Sequence, residues 1–194
     1  MGVELVYETH SITVDNETGI ATGWLPGELS RQGRVLARQL GLRRRDDGLS
    51  AVFSSDLRRA METAELAFSH AAVPLFQDAR LRECDYGELN GRPVRELQPL
   101  RSRHITEPWP GGQSYLDVVE QTRSFLHDLV RDWNGARLLV IAHSANRWAL
   151  DHLFHGRPLE DLVDAPFDWR PGWTYHIPDH FGGRGREDLP GGCG

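Results

Sequence analysis

The chain has 194 residues, of which 39% are hydrophobic and 26% charged, and a formal net charge of −6. That length suits one sizeable core in a single domain, and the acidic balance excludes the broad basic surface of a nucleic-acid binder. Cys84 and Cys193 make no disulfide framework, no basic segment precedes the first apolar run, and no long apolar stretch follows, so a cytoplasmic protein without a membrane span is expected.

Residues 3–7 read as a buried strand, and the Gly-, Thr-, Asp- and Asn-rich stretch 11–28 reads as a loop. Ser30 is placed to cap a helix with Val35, Leu36, Leu40 and Leu42 on its apolar face, stopped by Asp46-Asp47-Gly48. The run Arg43-Arg44-Arg45 before those acids reads as a solvated helix end. Ala51-Val52-Phe53 is a second strand, and Leu57, Ala60, Met61, Ala64, Ala67 and Phe68 are spaced for an amphipathic helix with Arg59 in its first turn. Val73-Pro74-Leu75-Phe76 is a third strand candidate, followed by an irregular stretch through Pro110-Gly111-Gly112.

A longer helix runs from about Ser114 to Trp133, burying Tyr115, Val118, Val119, Leu126, Leu129, Val130 and Trp133. Leu138 to Ile141 is a buried strand, a helix through Trp148, Leu150 and Leu153 ends near Gly156, and Trp173 to Ile177 alternates like an edge strand. Strands alternating with helices predict a three-layer α/β/α sandwich with a mainly parallel sheet, a single domain over 1–181, and a disordered tail over 182–194.

His10 and His143 each follow a short apolar strand. The carboxyl ends of strands are where open α/β sheets hold their chemistry, so neighbouring strands would bring both imidazoles over one pocket. Four segments bear on what that pocket does. Thr9-His10-Ser11-Ile12-Thr13 is followed by Asn16, and Ser54-Ser55-Asp56-Leu57-Arg58-Arg59-Ala60-Met61-Glu62-Thr63-Ala64 follows the second strand. Pro110-Gly111-Gly112-Gln113-Ser114 opens the long helix, and Val140-Ile141-Ala142-His143-Ser144 closes the last buried strand.

In this order the segments resemble those of the histidine phosphatase superfamily, which includes phosphoglycerate mutases and acid phosphatases; the likeness runs from about residue 3 to 177. The resemblance implies a nucleophile at His10, a second pocket histidine at His143, a phosphate-binding arginine at Arg59, and a proton donor at Glu83, within Leu81-Arg82-Glu83-Cys84-Asp85-Tyr86-Gly87-Glu88-Leu89-Asn90-Gly91. Thr9, Ser11, Asn16 and Ser144 would line the phosphate site. The bland alternatives are a Glu83 salt-bridged to Arg80 or Arg82, with Asp85 or Glu88 as stand-in acids. The chemistry fits these residue types. A neutral imidazole can attack a dianionic ester without adding negative charge, cations steady the equatorial oxygens, and a carboxyl group of raised pKa protonates the leaving oxygen.

The departures from the family pattern concern charge. Thr9 stands where the family has an arginine, Ser11 and Ser144 replace glycines, and Ile20 and Gln113 replace residues that are usually charged. Losing one preorganised donor to a transition-state oxyanion costs about 3–4 kcal/mol. Arg147, four residues past His143, is the candidate compensating cation. Trp24 and Trp109, on loops beside Gly and Pro, are candidates for a substrate mouth. His152 and His155 read as surface residues, and neither metal nor cofactor is expected. The implied activity is hydrolysis of a small organic phosphate through a phosphohistidine, the partner being that substrate or a phosphate anion rather than nucleic acid or a membrane. The alternative is a catalytically impaired relative that binds a phosphorylated metabolite or a protein partner.

Overall fold

The structure, a computed structural model, describes residues 1–181, so the expected tail over 182–194 lies outside the described residues. In chain order the elements are β1 (Gly2–Thr9), α1 (Val14–Thr18), β2 (Ile20–Ala21), α2 (Arg31–Arg44), β3 (Ala51–Ser54), α3 (Arg58–Phe68), β4 (Leu75–Gln77), β5 (Arg92–Pro93), α4 (Val94–Leu97), α5 (Tyr115–Asp132), β6 (Arg137–Ala142), α6 (Ser144–His155), α7 (Leu159–Val163) and β7 (Trp173–Pro178). The five-stranded sheet has the order β4-β3-β6-β1-β7. Its first four strands are parallel, and β7 closes the edge antiparallel to β1.

Side-chain alternation along the strands sorts the helices into two layers. Val3, Leu5, Tyr7, Leu138 and Val140 pack with Phe125, Leu126 and Leu129 of α5 and Leu150 of α6. Val6, Leu139 and Ile141 face the other way, onto Leu40 of α2 and Ala64 and Phe68 of α3. The domain is therefore a three-layer α/β/α sandwich around a mainly parallel sheet. A third cluster, with Cys84, Tyr86, Leu97, Trp109, Tyr115, Trp148 and Leu162, fills the space beneath the irregular segment between β4 and α5. No helix among the described residues is long and apolar enough to cross a membrane.

Several local expectations need correction. The stretch 11–28 is not simply a loop: Thr13 and Asn16 form a reciprocal capping box on α1, and Ile20–Ala21 pairs antiparallel with Arg92–Pro93. The buried face of α2 is Gly33, Ala37 and Leu40, whereas Val35 and Leu42 are 50% and 62% exposed. The reason is close packing. The α-carbon of Gly33 lies against the Ile12 carbonyl and that of Gly41 against the Ala67 carbonyl, leaving no room for a β-carbon, so small residues rather than large apolar ones set the contact. Strand β4 begins at Leu75 and its three residues are exposed on the sheet edge. Helix α7 carries no signal that the periodicity reading used.

Candidate active site

Strands β1 and β6 are neighbours in a register that pairs Thr9 with Ala142. The residues that follow, His10 and His143, therefore leave the sheet side by side, their ring centroids 5.1 Å apart. The His10 amide continues the ladder by donating to the Ala142 carbonyl at 2.8 Å. His10 Nδ1 lies 2.8 Å from the Ser11 carbonyl oxygen. Since a carbonyl only accepts, Nδ1 carries the proton and Nε2 keeps its lone pair. Burial, with the Arg59 charge acting in the same direction, pushes the His10 pKa from 6.5 down to about 3, so the ring is neutral across the physiological range.

His143 is fully buried. Its Nε2 lies 2.6 Å from the Ser55 hydroxyl, and its backbone carbonyl accepts from the Tyr7 hydroxyl at 2.5 Å. Burial first, then Arg59 and His10, hold its pKa well below the usual value. It is a neutral ring beneath the site rather than one of the residues that line the cleft.

Arg59 enters from the first turn of α3 and is 2% exposed. Nη1 donates to the Leu25 carbonyl at 3.1 Å and Nη2 to the Gly23 carbonyl at 2.8 Å, which anchors the guanidinium to the loop after β2. Glu83 is 9% exposed. Burial raises its pKa, while the Cys84 amide, 2.8 Å from Oε1, and the charges of Arg59 and Arg101 work against that rise. It makes no ion pair with Arg80 or Arg82: Arg80 pairs with Asp78 and Asp128, and Arg82 with Asp56. Asp85 and Glu88 do not line the cleft; Asp85 is occupied by the Gly87 amide and the Asn90 side chain.

His10, Arg59 and Glu83 open onto a cleft of about 900 Å³ that Thr9, Ser11, Asn16, Ser144 and Arg147 also line. Ser11 Oγ donates to the Gly33 carbonyl at 2.7 Å, and its amide donates to Thr63 Oγ1 at 3.0 Å. Asn16 Oδ1 accepts from the Thr13 amide and hydroxyl. Ser144 is the first residue of α6. Arg147 Nη1 donates to Asp151 at 2.8 Å, and its guanidinium lies 5.2 Å over the Trp173 ring.

Sequence reasoning missed three features. Arg44 is not part of a solvated helix end, since it reaches the carboxylate of Glu8, which is 2% exposed, at 2.7 Å, and Arg43, though exposed, reaches the same carboxylate at 3.0 Å. The signal was available, because alternation along β1 turns Glu8 toward α2, opposite to Tyr7 and Thr9. Arg44 also donates to the Pro171 carbonyl at 2.6 Å, tying the rim of the cleft to the strand that carries His10. The rim tryptophans are Trp148 and Trp169. Trp109 lies instead in the third cluster, 1% exposed and stacked on His104. Trp24 donates its indole N–H to the Glu83 carbonyl at 2.7 Å. Arg101, in the irregular segment, lines the cleft as well, and nothing periodic in the sequence points to it.

Comparison with known proteins identifies the family and the fold. The family model for the histidine phosphatase superfamily (branch 1) matches residues 9–170. A 2,3-bisphosphoglycerate-dependent phosphoglycerate mutase from Bifidobacterium longum is 35% identical, covering 93% of this chain and 89% of the relative. Among solved structures, Bacillus stearothermophilus YhfR superposes with a TM-score of 0.76 at 27% identity over 87% of this chain and 88% of its own. A mycobacterial glucosyl-3-phosphoglycerate phosphatase in complex with VO3 superposes with a TM-score of 0.73 at 26% identity, over 82% and 85% of the two chains. With two strand-end histidines side by side in a fold these proteins share, the chain belongs to the histidine phosphatase superfamily, branch 1.

Proposed function

We propose that the protein hydrolyses a small organic phosphomonoester through a phosphohistidine on His10. The observation that carries this reading is the bond from Nδ1 to the Ser11 carbonyl, which leaves a neutral ring with the Nε2 lone pair available. In the first step Nε2 attacks phosphorus, the bond from phosphorus to the ester oxygen breaks, and Glu83 gives its proton to the departing alkoxide. Burial of Glu83 supports that role, because it raises the pKa and favours the protonated acid. In the second step water attacks the phosphohistidine, the Glu83 carboxylate takes the water's proton, and phosphate leaves as His10 regains its lone pair. Arg59 holds the equatorial oxygens with the donors it does not spend on Gly23 and Leu25.

The test is rapid mixing with a radiolabelled phenyl phosphate followed by acid and base quenches. Base-stable, acid-labile label on the wild-type protein and none on His10→Ala is the expected result; steady turnover with no His10-dependent label would overturn the mechanism.

A second reading has its own support. Thr9 supplies no charge, and Ser11 spends its hydroxyl on Gly33 and its amide on Thr63, so the phosphate site is short of donors. On that reading the protein binds a phosphorylated ligand and turns it over poorly. A rise in melting temperature with phosphate, without label or turnover, would decide for it.

A further inference from the structure

Glu83 stands in the irregular segment between β4 and α5, outside every helix and strand, yet a general acid has to meet its oxygen at hydrogen-bond distance. No regular backbone ladder supplies that tolerance, so side chains from other elements must. The peptide units on both sides of Glu83 are held in this way. Ahead of it, the Arg82 carbonyl accepts from Asn146 Nδ2 at 3.2 Å, while Asn146 Oδ1 accepts from the His143 amide at 3.2 Å. After it, the Glu83 carbonyl accepts the indole N–H of Trp24 at 2.7 Å. The indole is pinned in turn. The Arg82 guanidinium lies 4.6 Å over its ring and is itself oriented by Asp56, which accepts from Nε at 2.7 Å. Trp24 is half-buried and does not line the cleft, so its contact is with the segment rather than with a ligand.

The residues on either side of Trp24 hold the phosphate end of the reaction. The Gly23 and Leu25 carbonyls accept from Arg59 Nη2 and Nη1 at 2.8 and 3.1 Å. One short stretch thus fixes the phosphate arginine with its backbone and the acid with a side chain. That stretch is seated directly on the wall: at Gly23, where φ is +53°, a β-carbon would collide with the Asn90 side chain, whose Oδ1 accepts from the Tyr86 amide at 3.0 Å. We infer that Trp24 is a positioning residue, whose indole N–H holds the Glu83 backbone so that the carboxyl keeps a fixed distance from the phosphate site. This step rests on the reading of Glu83 as the acid. The indole bond is also the one that can be removed cleanly. Asn146 caps α6 as well as holding Arg82, whereas among the described residues the Trp24 N–H serves the Glu83 carbonyl alone.

The experiment uses the full chain and two esters that differ in their need for an acid. Phenyl phosphate releases a basic phenolate that has to be protonated, whereas 2,4-dinitrophenyl phosphate releases a stable anion that does not. Trp24→Phe keeps a ring for Arg82 and loses the N–H. It should lower kcat for phenyl phosphate by about tenfold or more, the scale of a misplaced catalytic group, and leave kcat for the dinitrophenyl ester within about twofold. Glu83→Gln should show the same selectivity on a larger scale. Hydrogen exchange at the Cys84 amide, which donates to Glu83 Oε1 at 2.8 Å, reports how firmly the acid is held without any turnover, and in Trp24→Phe it should be about tenfold faster. Equal slowing of both esters by Trp24→Phe, or a Cys84 amide as protected as in the wild type, would overturn the proposal. Replacing the Trp24 indole by an isosteric benzofuran, which removes the N–H alone, should reproduce both results and decides the question if the Phe variant does not fold. If Glu83→Gln slows both esters alike, or neither ester is turned over, the reading of Glu83 as the acid falls, and the Cys84 exchange then decides whether Trp24 holds the segment.

Discussion

At the floor of the cleft and directly beneath it, His10 and His143 follow the paired ends of two buried parallel strands, and Arg59 comes from the first turn of a helix packed on the same sheet. The wall that carries Glu83 and Arg101 comes from the stretch between β4 and α5, where no regular element exceeds four residues. It is held instead by turns such as the one at Gly87, whose positive φ and approach to the Pro110 carbonyl admit no side chain. A floor made of sheet ends fixes atoms to the tolerance that chemistry needs. A wall made of turns can change its side chains without disturbing the sheet, as loops carried on rigid scaffolds do. The division predicts that floor substitutions change kcat and wall substitutions change the choice of substrate.

The sharpest test of the floor is His10→Ala. Removing a nucleophile from a concerted site lowers kcat by on the order of 10⁴-fold or more, and the acid-labile label should vanish with it. A loss below about tenfold would mean that the imidazole is not the attacking group.

Glu83 spans both regions, with its backbone in the wall and its carboxyl over the floor. Glu83→Gln should lower kcat by about 10²- to 10³-fold, the usual range for a lost general acid. The pH profile gives a second readout. Burial raises the Glu83 pKa, so the acid form is lost as pH rises through that value and the rate falls on the alkaline side; the Gln variant should lose that limb. The same shift has a stability sign. Between the ordinary carboxyl value of 4.5 and the raised one, the folded protein binds more protons than the unfolded chain, so stability falls as pH rises through that window. Glu83→Gln should therefore melt higher than the wild type above it, and an equal or lower melting temperature would contradict the burial argument.

Thr9→Arg probes the electrostatic deficit of the floor. Thr9 shares the β1 face of Tyr7, on the side of α5 and α6, and lines the cleft. An added guanidinium there should raise phosphomonoester kcat by about tenfold or more, a fraction of what one preorganised donor contributes. A fall would show a pocket reshaped for another ligand.

The contrast also explains what the amino-acid sequence revealed. Apolar runs ending in His10 and His143, the periodicity of α5, and the alternation of strands and helices report buried regular structure, and those signals located the floor. The periodicity finds Leu40 on the buried face of α2 but not Gly33 and Ala37 beside it, because a search for large apolar residues passes over glycine and alanine. The pairing of Glu8 with Arg43 and Arg44 was missed because a charged residue inside a strand and a basic run at a helix end were read separately, although strand parity brings them together. Arg101 had no legible signal at all: its place depends on how an aperiodic segment folds over Trp148, and no repeat of 2 or 3.6 residues encodes that.

The smallest effect separates the regions by stability alone. Ser55→Ala removes the hydroxyl 2.6 Å from His143 Nε2 and leaves that nitrogen unpaired in a fully buried ring. An orphaned buried polar group costs about 1–3 kcal/mol. Trp169→Ala on the rim removes a much larger side chain, yet that residue is 59% exposed, and truncation at such a site changes stability by about 0.5 kcal/mol or less. Denaturant unfolding of the two variants should thus rank the deletion of one oxygen atom above the deletion of an indole. The opposite ranking would mean that the rim segment, through the Arg44 bond to Pro171 and the buried Glu8, is part of the cooperative core rather than an adjustable wall.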